Sequence, residues 1–107
     1  MRAKLQTFAV MAAVAVCLGV TVMPERSATI DNFAFTPEEL TVAMGTTIVW
    51  INRDDTPHTV TSADTPRLFR SAPLDTGDTF SYRFDHAGRF AYFCLLHAHM
   101  RGVIVVK

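Results

Sequence analysis

From residue 27 onward, apolar and polar positions alternate in short runs, and no run keeps the period of a helix. Residues 29–35 alternate in a way that places Phe33 and Phe35 on one face. Residues 46–52 are β-branched and aromatic, and residues 79–84 carry an aromatic ring at every second position, so that all three rings lie on one face. Both patterns are typical of strands that pack on a core. Further strands are predicted over residues 40–43, 58–61, 89–94 and 102–106.

Turn-forming residues separate these runs. Gly45 lies between the runs at residues 40–43 and 46–52, and Pro57 ends a polar turn before residue 58. Gly77 and Gly88 precede the runs at residues 79–84 and 89–94. Seven or eight short, evenly spaced strands predict an all-β chain that folds as one antiparallel sandwich or barrel. Tyr92 lies at the right distance after the last of these turns for a tyrosine corner that joins the two sheets.

The first 23 residues have the layout of a targeting segment. Arg2 and Lys4 provide a positive start, and the next charge comes only after residue 23. A secretory signal peptide has this layout, but the apolar run is also close to the about 20 residues that cross a bilayer. We therefore expect residues 1–23 to be a signal peptide or an N-terminal membrane anchor, and residues 27–107 to form the exported domain.

The charge balance excludes some kinds of partner. The 107 residues carry ten basic and ten acidic side chains, and loss of residues 1–23 would remove two basic ones. A nucleic-acid-binding protein presents a basic stripe or patch, and the sequence contains none. We expect a monomer that binds no nucleic acid and meets a membrane only through residues 1–23, if these are retained.

Cys94 is the single cysteine of the expected exported domain, so it has no partner for a disulfide within that domain. An odd cysteine in an oxidising compartment is inert and buried, paired to another chain, or bound to a metal. The pattern Cys94-x-x-His97-x-x-Met100 favours the metal, because it places a thiolate, an imidazole and a thioether within one loop. Soft ligands of these types favour copper, and His58, after a proline turn, supplies a fourth ligand.

The surroundings of this site can also be predicted. Thr59 is a candidate backbone donor to the Cys94 thiolate, and its hydroxyl is placed to fix the ligand loop. We expect His97 to be the point of electron exit, inside an apolar collar that suits docking of another protein. His99 is expected to face solvent, with the alternative that it competes as a ligand. The collar is expected to comprise Leu95, Leu96, Ala98 and Met44. His86 is expected at the surface, and Trp50, Phe80, Phe84 and Phe90 in the core.

Residues 29–107 resemble the cupredoxins, and most closely the amicyanin group, with pseudoazurins and plastocyanins further away. The short gap between His97 and Met100 resembles the amicyanin ligand loop. The matching pieces are Phe33-x-Phe35-x-Pro37, Gly45, Val49-Trp50-Ile51-Asn52-Arg53, Pro57-His58, Gly88-x-Phe90-x-Tyr92-x-Cys94 and Met100-Arg101-Gly102. Thr59 and Leu96 depart from the asparagine and proline that are common there.

The resemblance implies a Greek-key β-sandwich with one type 1 copper ion held by His58, Cys94, His97 and Met100. It implies a carrier of single electrons in the bacterial periplasm, with no enzymatic activity of its own. Its partners would be redox proteins, a donor dehydrogenase and an acceptor such as a c-type cytochrome. Two alternatives stay open: a copper storage or delivery protein that uses the same ligands, and a metal-free sandwich domain for adhesion or assembly.

Overall fold

The computed structural model describes residues 23–107, which form eight strands. Their bounds are Glu25–Asp31 (β1), Ala34–Thr36 (β2), Glu39–Val42 (β3), Thr46–Asn52 (β4), Thr61–Ser62 (β5), Thr79–Phe84 (β6), Gly88–Phe93 (β7) and Arg101–Val106 (β8). Within these residues there is no helix long and apolar enough to cross a membrane. The predicted targeting segment, residues 1–23, lies outside the described residues except for Met23.

The strands form two four-stranded sheets, ordered β2-β1-β4-β6 and β3-β8-β7-β5. The predicted all-β sandwich is confirmed, with one difference of detail, which is that both sheets are mixed. Strand β1 runs parallel to β4, and β3 runs parallel to β8, whereas the other pairs are antiparallel. The first parallel pair arises because the chain crosses into the other sheet as β3 before it returns as β4.

The prediction of one strand over residues 29–35 was wrong, because the chain reverses in its middle. Asn32 and Phe33 have φ angles of 53° and 57°, which lie in the left-handed region where a chain turns sharply. Strand β2 then pairs back on β1, with Ile30 opposite Phe35. As a result Phe35 is buried in the core, while Phe33 leaves the sheet and is 41% exposed.

Aromatic rings fill the space between the sheets. Trp50 is fully buried, and its ring lies 5.9 Å from that of Phe69 and 5.3 Å from that of Tyr92, centroid to centroid. Phe84 is buried as predicted, while Phe80 and Phe90 are partly buried and pack against the same cluster. Burial of such large rings supplies much of the apolar contact that stabilises a small domain.

Tyr92 connects β7 to β8, but not through the hydrogen bond of a tyrosine corner. Its hydroxyl is buried without a hydrogen-bond partner among the described residues, whereas a tyrosine corner needs that bond to the backbone. The ring instead covers Gly102, its partner in the β-ladder, so closely that a Cβ there would overlap the ring. Glycine is therefore required by the close approach of the ring.

Candidate metal centre

The candidate ligands lie in two loops at one end of the sandwich. The first loop follows β4 and leads to His58, which forms a bridge with Leu74. The second loop connects β7 to β8 and contains Cys94 and His97. The loops meet where the backbone N–H of Thr59 donates to Cys94 Sγ at 3.3 Å. Residues that are 35 positions apart in the chain are thereby brought into contact.

Three of the predicted ligands converge. The Nδ1 atoms of His58 and His97 each lie 3.8 Å from Cys94 Sγ. One ligand atom from each of the three residues falls within 4.8 Å of the others. His58 and Cys94 are fully buried, whereas His97 is partly exposed. The three ligand atoms thus lie close together, and His97 is the member of the set that solvent reaches.

This arrangement fits a single metal ion. Metal–sulfur and metal–nitrogen bonds of about 2.3 and 2.0 Å that open at about 120° place sulfur and nitrogen about 3.7 Å apart. The observed separations of 3.8 Å match that distance on both sides of Cys94. A thiolate with two imidazoles is a donor set that favours copper over hard cations such as magnesium. His58, Cys94 and His97 would therefore hold a copper ion.

Thr59 makes both contacts expected from the sequence. Its backbone N–H donates to Cys94 Sγ, and its hydroxyl accepts a hydrogen bond of 2.8 Å from the backbone N–H of Leu95. The same hydroxyl lies 3.1 Å from that of Thr61 in β5. The side chain therefore ties the ligand loop to a strand of the core, and the thiolate has a fixed backbone donor.

The ligand loop is held by its own backbone. The N–H of His97 donates to the carbonyl of Cys94 at 3.3 Å, and that of Met100 to His97 at 2.9 Å. The loop closes where the N–H of Cys94 donates to the carbonyl of Met100 at 3.2 Å. Met100, the last residue of the loop, is buried, whereas His99 is exposed, as expected.

Sequence reasoning missed Asp54, a buried carboxylate behind His58. Its Oδ2 lies 2.7 Å from His58 Nε2, on the side of the imidazole that faces away from Cys94. Burial by itself would raise the pKa of this carboxyl. Hydrogen bonds from the backbone N–H groups of Phe33 and Asn32 and from His58 outweigh burial and lower the pKa below its ordinary value. The only sequence signal was an acidic residue four positions before a candidate ligand.

Phe33 also lies elsewhere than the sequence pattern predicted. Its ring lies edge-on to both ligand imidazoles, 5.1 Å from His58 and 5.0 Å from His97, centroid to centroid. The reversal of the chain between β1 and β2 carries it out of the core and onto the site. No feature of the alternating pattern could have indicated this position.

The apolar collar includes Leu96, which is 53% exposed next to His97, with Leu95 and Ala98 in the same loop. The expectation that Met44 belongs to it was wrong. The backbone N–H of Met44 donates to the carbonyl of Lys107, just beyond β8, and the ligand loop enters β8 at its opposite end. Met44 therefore lies at the far end of the sandwich, and Phe33 takes the place expected for it. His86 is exposed, as predicted.

The fold and the donor set together define a class of protein. Its members are two-sheet β-sandwiches with one buried histidine–cysteine–histidine copper site at one end. Comparison with known proteins agrees with that class. The family described as "Cupredoxin-like domain" matches residues 6–106. The chain belongs to this family.

Individual relatives are moderately similar. The chain is 28% identical to amicyanin of Paracoccus versutus over 81 residues, which cover 73% of this chain and 61% of that protein. It therefore spans less than two thirds of that relative. It is 32% identical to plastocyanin of Scenedesmus fuscus over 84 residues, 68% of this chain and 86% of the plastocyanin. A solved purple cupredoxin from Nitrosopumilus maritimus superposes with a TM-score of 0.71 at 31% identity, covering 77% and 99% of the two chains.

Proposed function

We propose that this protein is a periplasmic electron carrier with a type 1 copper site and no catalytic activity of its own. The observation that carries the proposal is the convergence of His58, Cys94 and His97, whose ligand atoms lie within 4.8 Å of one another. Bound copper supplies one-electron chemistry there, by alternating between its two common oxidation states. We further propose that residues 1–23 direct export, with the domain at residues 27–107, and that the carrier acts as a monomer.

Met100 is proposed as the fourth residue that would hold the copper ion, more weakly than the other three. Its side chain is buried, and its backbone is hydrogen-bonded to that of both Cys94 and His97. A thioether as a weak fourth donor would add to the two imidazoles and one thiolate that characterise blue copper sites. The hydrogen bonds that fix this loop would keep the ligands in nearly the same place in both oxidation states.

His97 is proposed as the path by which electrons enter and leave. It is the one ligand of the three with partial exposure, and apolar side chains surround its edge. Redox partners, a donor dehydrogenase and an acceptor such as a c-type cytochrome, would dock on Phe33 and Leu96 around it. An apolar patch excludes water from the contact between the two proteins. If the contact area is small, binding is weak and the partners can separate again.

The protein loaded with Cu(II) tests this function. An intense visible band from thiolate to copper, with narrow parallel hyperfine splitting in electron paramagnetic resonance, is expected, together with reversible reduction. The Cys94→Ser variant should lose the band, since it removes the sulfur that gives rise to it. A pale spectrum from the unaltered protein would refute the type 1 site, and loss of copper at each redox cycle would favour storage or delivery.

A further inference from the structure

We propose that Asp54 is a positioning residue that orients His58 toward the metal and holds Phe33 over both ligand imidazoles. The inference rests on the proposed copper function and adds a residue that sets the properties of the site. Its basis is that a single buried carboxylate receives three hydrogen bonds. They come from His58 Nε2 at 2.7 Å, the Asn32 backbone at 2.6 Å and the Phe33 backbone at 2.9 Å.

The carboxylate determines which nitrogen of His58 is available to a metal. Since an ionised carboxylate only accepts hydrogen bonds, Nε2 must carry the proton. The lone pair is then on Nδ1, the atom that lies 3.8 Å from Cys94 Sγ. A ligand imidazole that donates its other N–H to a carboxylate is fixed in orientation and becomes a more basic ligand. Asp54 therefore selects the nitrogen that faces the metal.

Asp54 is itself held rigidly. Its backbone N–H donates to Asn52 Oδ1 at 2.9 Å, and its carbonyl accepts a hydrogen bond of 2.6 Å from Thr76 Oγ1. Asn52 is the last residue of β4, and Thr76 lies just before β6, where the backbone N–H of Gly77 donates to the carbonyl of Asn52 at 2.7 Å. Because the Asp54 backbone is already held in place, the carboxylate can orient His58 at little further cost in the side-chain entropy of Asp54.

The same carboxylate holds the turn between β1 and β2. Asn32 and Phe33 both have positive φ angles, a conformation that is unfavourable for most residues other than glycine. Their backbone N–H groups point at the two oxygens of Asp54, and charge-assisted bonds of this kind offset that cost. This reversal of the chain places the ring of Phe33 against His58 and His97. Asp54 therefore connects a buried ligand to the outer surface of the site.

The negative charge should affect the two oxidation states of copper unequally. A more electron-donating His58 favours Cu(II) over Cu(I), so the neutral variant Asp54→Asn should bind Cu(II) less well. Loss of a partner behind a metal ligand costs about 10- to 100-fold in affinity. If Cu(II) binding falls tenfold more than Cu(I) binding, the reduction potential rises by about 59 mV.

Asp55→Asn is the matched control. Asp55 is the next residue and is exposed, so the control removes the same charge without touching His58. The potentials of Asp54→Asn and Asp55→Asn should therefore differ, with only the first raised. Equal potentials in the two variants would overturn the proposal. Asp54→Glu keeps the carboxylate, so its reduction potential should lie between those of Asp54→Asn and the unaltered protein. A merely structural role would not predict this order.

A measurement on the unaltered protein does not depend on any variant folding or on copper. Nitrogen NMR of the metal-free protein, recorded at a pH where the His58 imidazole is neutral, should show its single ring proton on Nε2, with slow exchange. A neutral imidazole that carries its proton on Nδ1 would overturn the proposal even if the copper site proves blue. Conversely, the expected tautomer in a protein that fails to give a blue spectrum would refute the proposed function alone.

Discussion

Gly102 illustrates how one residue can be set by a neighbouring ring. A Cβ at this position would overlap the Tyr92 ring across the β-ladder, so Gly102→Ala should lower the free energy of unfolding by about 1–3 kcal/mol. Chemical denaturation provides the measurement. In a Tyr92→Leu background the same substitution should cost much less. A full cost in both backgrounds would show that the ring is not the cause.

The Tyr92 hydroxyl gives a prediction about alkaline pH. Burial raises the pKa of this phenol from its ordinary value of 10.0 to about 12. In the unfolded chain the group ionises near pH 10, and in the folded protein only near pH 12. The contribution of the neutral Tyr92 phenol to the free energy of unfolding is therefore complete below pH 10. It is lost as the pH rises through 12, by up to about 3 kcal/mol.

Unfolding free energies measured from pH 9 to 12 would test this loss. Tyr92→Phe removes the ionising group, so its stability should decline less over the same interval. Tyr82→Phe is a suitable comparison, because Tyr82 is less buried and belongs to the other sheet. Identical profiles for the protein and Tyr92→Phe would contradict the assignment.

At the scale of elements, Asn52 organises the loop that presents His58. Its side-chain Nδ2 donates to the carbonyls of Thr56 and Leu74 at 3.0 and 2.8 Å, and its Oδ1 accepts from the Asp54 backbone. These contacts fix a loop that has no strand partner over most of its length. A polar residue at the end of a core strand thus provides the rigidity that the loop lacks.

Asn52→Ala should therefore destabilise the protein by about 2–4 kcal/mol, since it leaves buried carbonyls without donors. Copper affinity should fall as well, because His58 loses the base of its loop. Denaturant titration and competition with a copper chelator measure the two effects. Arg53→Ala alters the next, exposed residue and should leave both quantities nearly unchanged, and an equal effect of the two substitutions would count against this role of Asn52.

At the scale of the whole molecule, a bound ion would connect the two loops at the end of the sandwich. A ligand that binds only the folded state stabilises it by about 4 kcal/mol when present at a thousand times its dissociation constant. Thermal unfolding with and without copper should therefore show a higher midpoint in the loaded protein. Cys94→Ser should remove most of that gain, whereas an unchanged midpoint in the unaltered protein would argue against tight binding.

The surface around His97 gives a prediction that needs no identified partner. Two copies of a carrier exchange electrons through their docking surfaces, so Leu96→Asp should slow self-exchange by about tenfold, equivalent to about 1.4 kcal/mol. Line broadening in NMR of mixed oxidation states measures this rate. Met44 is 55% exposed at the far end of the sandwich, close to the 53% of Leu96. Met44→Asp should leave the rate unchanged, and equal slowing by both would mean that charge alone is responsible.

Much of this protein was determined by its sequence alone. Alternation within β4, β6, β7 and β8 predicted the strands, because period-two burial is a local property of an extended chain. The ligand loop was predictable because it too is local: only three peptide bonds separate Cys94 from His97, so their side chains must lie near each other. The Thr59 contacts followed from its position beside a ligand.

Other features depended on tertiary structure. The reversal at Asn32 and Phe33 looks like ordinary alternation in the sequence, and it takes that form only because a carboxylate 22 and 21 positions away accepts both N–H groups. The positions of Phe33 and Met44 relative to the site follow from the path of the chain between sheets. Contacts between residues distant in sequence have no local signature, so the surroundings of His58 were decided only when the two loops came together.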